Sequence, residues 1–104
     1  EVRTPVDVLT LCEAIYELDG TDFSGVMHLG STSSVNRYDM TCYIAQLIHA
    51  QPELIVPLHE PVPGKAPRHN NGIICVAKAQ SVLKTTTLLP WQKTVERAVS
   101  MINN

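Results

Sequence analysis

Arg68, His69 and Asn70 stand together in the stretch Gly64-Lys65-Ala66-Pro67-Arg68-His69-Asn70-Asn71-Gly72, which is rich in hydrogen-bond donors and free of acids. A guanidinium in such company suits a bidentate grip on a phosphate, with His69 and Asn70 as further donors. These three are the candidate substrate-binding residues. The competing reading of Arg68 is a solvated loop residue. A second anion site at the helix start Asn36-Arg37-Tyr38 is the weaker candidate, because Asn36 and Asp39 compete for the free N–H groups there.

Other chemistry is marked by absence. The sequence holds no GxGxxG, GxxxxGK[ST], HExxH or GxSxG pattern, and none of Tyr16, Tyr38 and Tyr43 has a lysine four residues on. No catalytic, cofactor-binding or metal-ligating residue is therefore assigned. A metal site from His59, His69 and Cys75 would need an unusual loop closure. Cys42 and His49 lie about two helical turns apart, too far for a nucleophile and its base. Cys12, Cys42 and Cys75 form an odd set without CxxC spacing, which points to reduced thiols, to small core residues and to a cytoplasmic setting.

These residues need one domain to position them. The 104 residues are 44% hydrophobic and 17% charged, within the globular range and without an apolar run long enough to span a bilayer. The net charge of -2 hides an acidic first half and a basic second half; Lys78, Lys84, Lys93 and Arg97 read most simply as a solvated face. Neither nucleic acid nor membrane is expected as a partner. Glu1-Val2-Arg3 is no signal or transit peptide, and the chain reads as a fragment of a longer protein.

A helix is predicted near residues 5–18, with Thr4 capping, Pro5 at the first position, Asp7 reaching back, and Asp19-Gly20 as a left-handed stop. Val8, Leu9, Cys12, Ile15, Tyr16 and Leu18 form its apolar stripe. Residues 25–32 read as a strand ending in a turn. Asn36, with Asp39 three residues on, opens a helix running to about Ala50, where Pro52 marks its end. Residues 54–58 suggest a strand, Glu60–Gly72 a loop long enough to be functional or disordered, 73–76 a buried strand, Ala77–Leu83 a small helix, and Pro90–Ile102 a last helix with Trp91 packed in the core.

Taken in order, TPVDVLTLCEAIYEL, GVMHLGSTSSVNRYDMTCYIAQLI, APRHNNGIICVAKAQSVL and LPWQKTVERAVSMI resemble the C-terminal part of dTDP-4-dehydrorhamnose reductase and its relatives in the extended short-chain dehydrogenase/reductase superfamily. Val6-Asp7-Val8-Leu9 stands where that family has Val-Asp-Asp-Leu, and Asn36-Arg37-Tyr38-Asp39-Met40 matches its capped helix start. Pro67-Arg68 keeps the end of the loop motif, Lys78 the lysine of Asp-Cys-Ser-Lys, and Pro90-Trp91 the start of the last helix.

The resemblance implies an α/β fold: a small C-terminal lobe of about four helices with three short strands, filling residues 1–104. It implies a parent whose N-terminal dinucleotide-binding domain lies upstream, carrying the Tyr-x-x-x-Lys pair and the NADP or NAD. The lobe itself would hold the nucleotide-sugar and bind no cofactor. Reduction of dTDP-4-dehydrorhamnose to dTDP-rhamnose is the expected activity. The alternatives are a non-catalytic regulator of the methionine adenosyltransferase beta subunit type and a nucleotide-sugar epimerase.

Overall fold

A computed structural model describes residues 2–57, 64 and 71–102. Four helices surround a small mixed sheet: α1 (Val8–Asp19), α2 (Arg37–Leu47), α3 (Ala77–Val82) and α4 (Trp91–Ile102), with β1 (Val2–Arg3), β2 (Val35–Asn36) and β3 (Asn71–Gly72). The sheet order is β2-β1-β3. β1 runs antiparallel to β2, Val2 opposite Asn36, and parallel to β3, Val2 opposite Asn71. This is the small α/β lobe expected, although its strands do not fall on the expected residues.

The helices follow the sequence closely, with instructive differences at their ends. α1 starts at Val8 and its cap is Asp7, whose Oδ2 accepts the Thr10 N–H at 2.9 Å. Thr4 does not cap it; the Thr4 hydroxyl accepts the Ile74 N–H at 3.3 Å instead. Gly20 ends α1 at φ -89°, so the turn there is not left-handed. At α2, Asn36 Oδ1 accepts the Asp39 N–H at 2.7 Å, as its spacing predicts. α2 stops at Leu47, short of Ala50, and His49 turns the chain at φ 60°.

Three strand expectations are corrected. Residues 25–32 make no ladder among the described residues, because no other strand lies beside them. Pro52–Leu54 is a 3-10 turn and 55–57 are irregular, while Leu58 lies outside the described residues. Pairing with β1 falls on 71–72 rather than 73–76: the Ile74 N–H goes to the Thr4 hydroxyl instead of a backbone carbonyl, and Ile73, Ile74 and Cys75 are exposed rather than buried.

The core gathers Ala14, Val76, Ala79, Leu83 and Leu88, with Leu18, Met27 and Leu29 packed on it. Of the expected apolar stripe of α1 only Leu18 faces this core; Val8, Leu9, Cys12, Ile15 and Tyr16 are exposed, Tyr16 by 86%. Thr10 and Ala14 are buried. Small residues occupy the inner face because α1 lies close to α4, where Thr94 bonds Asp7. Cys12 and Cys75 are likewise exposed rather than core, and all three cysteines are free thiols. Trp91 is half-buried and meets Tyr43 edge to face at 5.3 Å, joining α4 to α2.

Candidate functional site

Two turns converge where β1 ends. Thr4 links them: its C=O accepts the Ser31 N–H at 3.3 Å, and its Oγ1 accepts the Ile74 N–H at 3.3 Å. Gly30 is needed for the first link, since a Cβ there would stand 2.8 Å from the Thr4 carbonyl oxygen. Between the turns opens a cleft of about 560 Å³, with residues 31–34 on one side and residues 73–77 with Gln80 on the other. That volume is in the range of small-molecule sites.

The cleft wall is hydroxyl-rich and pinned from behind. Ser31, 2% exposed, donates its hydroxyl to the Ser33 carbonyl at 2.6 Å, and Ser33 Oγ accepts the Trp91 N–H at 3.0 Å. The Thr32 N–H donates to the Leu89 carbonyl at 2.9 Å. Ser31 and Ser33 are thus committed to holding the turn, while Thr32 and Ser34 lie exposed on it. Cys75 is the one thiol on the rim, and no carboxylate, imidazole, lysine or arginine lines the cleft among the described residues. Such a wall can bind and orient a hydroxyl-bearing ligand.

The cleft lies beyond the carboxyl ends of the parallel pair β1 and β3, the position ligands take in open α/β sheets. Arg68, His69 and Asn70 lie outside the described residues. The chain re-enters at Asn71, whose Oδ1 accepts the Ile73 N–H at 3.1 Å, and Ile73 begins the second cleft wall. Asn71, two residues before that wall, is the first described residue after the predicted anion grip. The hydroxyl wall itself escaped sequence reading. Its signal was the run Ser31-Thr32-Ser33-Ser34, read only as the turn ending a strand.

No described residue set gathers three metal-ligating side chains. The turn from β1 into α1 is Thr4-Pro5-Val6-Asp7, which holds no glycine and in which the Asp7 carboxylate accepts the Thr10 N–H.

The chain matches the protein-family model described as RmlD substrate binding domain, over residues 2–104. It belongs to that family. No curated protein and no solved structure matches it. The RmlD substrate binding domain is of sugar-nucleotide reductase type, in agreement with a cleft suited to hydroxyl-bearing ligands.

Proposed function

We propose that residues 1–104 form the nucleotide-sugar-binding lobe of an NAD(P)-dependent reductase that converts dTDP-4-dehydrorhamnose to dTDP-rhamnose. The observation that carries this reading is the family match across residues 2–104. In the parent, a dinucleotide-binding domain upstream holds the nicotinamide, which supplies the reducing chemistry when bound. This chain's part is binding and orientation. Thr32, Ser34 and Gln80 face the sugar hydroxyls, and Arg68, His69 and Asn70 grip the diphosphate. The free thiols of Cys12, Cys42 and Cys75 support a cytoplasmic setting. No helix among the described residues is long and apolar enough to cross a membrane.

Steady-state kinetics on the parent test this assignment. Arg68→Ala should raise the KM for the nucleotide-sugar by roughly ten- to hundredfold, the worth of a hydrogen bond to a charged group, and leave the KM for NADPH unchanged. Arg68→Lys keeps the charge without the fork and should recover only part of the loss. Unaltered sugar-nucleotide parameters in both variants would return Arg68 to a solvated loop residue.

A further inference from the structure

Thr4 joins the two walls of the cleft, and its hydroxyl still has a bond to give. It follows β1 directly and is only 9% exposed, yet it lines the cleft. The Ile74 N–H occupies one lone pair of Oγ1, and Gly30 packs so close that a Cβ there would stand 3.1 Å from the same atom. Branching at Cβ already restricts χ1, so these contacts hold the hydroxyl in one direction. Its proton meets no acceptor among the described residues. Ser31, the other buried hydroxyl of the cleft, has no proton to spare, because it donates to the Ser33 carbonyl. A hydroxyl nine-tenths buried with its proton unspent is a place for a ligand oxygen.

The lining selects the kind of oxygen. No cationic side chain lines the cleft among the described residues, so a diphosphate finds no counter-charge there. No aromatic ring lines it among them either, so a nucleobase has no face on which to stack. What remains is a set of hydroxyls, the Gln80 amide and the apolar side chains of Ile73, Ile74 and Val76. That mixture suits a sugar ring, which is polar at its rim and carries C–H groups on its faces.

We propose that Thr4 is a specificity-determining residue of the cleft, its hydroxyl donating to an uncharged oxygen of the sugar, so that the protein tells a nucleotide-sugar from the bare nucleoside diphosphate. That a nucleotide-sugar is the ligand rests on the proposed function above; that Thr4 reads its sugar part rests on the lining of the cleft. The bond from Ile74 assists, since a hydroxyl that accepts one hydrogen bond is polarised to donate the next.

Calorimetry on the parent protein with dTDP and with dTDP-rhamnose tests this. Thr4→Val keeps the outline of the side chain and removes the hydroxyl. The Ile74 N–H that loses its acceptor lies beside the open cleft, on a residue 40% exposed, where water can reach it, so the variant should fold. The expected result is dTDP-rhamnose bound about three- to tenfold more weakly, the worth of one neutral hydrogen bond, with dTDP bound as before. Thr4→Ser retains the hydroxyl and should restore the affinity for the sugar ligand. Equal weakening of both ligands by Thr4→Val overturns the assignment, because Thr4 would then only hold the turns; so does no weakening of either. Should Thr4→Val fail to fold, Thr4→Cys makes the same test, since a thiol accepts and donates only weakly. Binding of neither ligand by the unaltered protein sinks the nucleotide-sugar reading and the role of Thr4 with it, whereas binding of both without a selective loss in the variants sinks the role of Thr4 alone.

Discussion

Asp7 and Asn36 start their helices in the same way and hold very different amounts of the molecule together. Both are extended, at φ -77°, ψ 154° and φ -82°, ψ 161°, and both accept an N–H from three residues on. Asn36 does so at the surface, and its amide donates to Asp39 Oδ2 at 2.8 Å within the same turn. Asp7 is buried. Its Oδ1 also accepts the hydroxyls of Thr10, at 2.7 Å, and of Thr94 on α4, while its own N–H donates to Thr94 Oγ1 at 2.8 Å. Arg97 extends the cluster, donating to Thr10 Oγ1 at 2.8 Å and Glu13 Oε1 at 2.9 Å. One cap ends a helix, whereas the other also joins two helices. The lesson is that a cap's worth depends on what else its oxygens hold.

The largest expected effect follows from breaking the buried cap. Asp7→Ala removes the acceptor for Thr10 and Thr94 and leaves their hydroxyls in a dry interface, at a cost of about 2–4 kcal/mol. Urea unfolding of the 104-residue chain measures it, and a loss below about 1 kcal/mol would show that the cluster adds nothing to an ordinary cap. A double-mutant cycle with Thr94→Val sharpens the point: coupling of at least about 0.5 kcal/mol is expected between residues in direct contact.

The other end of α1 predicts a pH effect of intermediate size. Glu17 gathers the segment 84–86: Oε2 accepts the Lys84 N–H, and Oε1 accepts the Thr85 N–H at 3.2 Å, the Thr85 hydroxyl at 2.9 Å and the Thr86 N–H at 2.8 Å. These donors, the Lys84 amide foremost, pull the Glu17 carboxyl down to about 2 from its ordinary 4.5. A lowered carboxyl stabilises the fold above its unfolded value, and that contribution is lost as pH falls from 4.5 towards about 2. Asp7 acts in the same sense: burial pushes its carboxyl up, but the bonds from Thr94 and Thr10 outweigh this and hold it below its ordinary value. Glu17→Gln should therefore flatten the acid limb of a stability-against-pH curve. An unchanged limb would mean that these bonds do not persist in solution.

The same contrast explains what the sequence disclosed. The Asn36 cap was legible because acceptor and donor lie within four residues, and the extents of α3 and α4 followed from equally local signals. The role of Asp7 was not legible, since Thr94 is 87 residues away in sequence. Periodicity found the stripe of α1 but not its direction, which the α4 contact sets. Residues 25–32 have the alternation of a strand, and whether a strand forms depends on a partner that no local pattern supplies. In the candidate site, Arg68 could be singled out by its acid-free neighbours. The Ser31–Ser34 wall could not, because its place depends on Thr4 gripping two distant turns at once.

The smallest expected effect tests the local member of the pair. Asn36→Ala strips one acceptor from an exposed helix start and should cost about 1 kcal/mol, since water can reach the Asp39 N–H that loses its partner. Asn36→Ser restores an acceptor at the same position and should recover most of that loss, but Asn36→Asp should recover less. The Asn36 amide now donates to Asp39, and a second carboxylate there would meet a like charge. Urea midpoints for the three variants, read in low and in high salt, separate these contributions. Salt should narrow the gap between the Asp and Ser variants and leave the Ala variant where it was. If Asn36→Ala instead proved as costly as Asp7→Ala, Asn36 would have to carry more than its own turn, and the division between a local and a tertiary cap would fail.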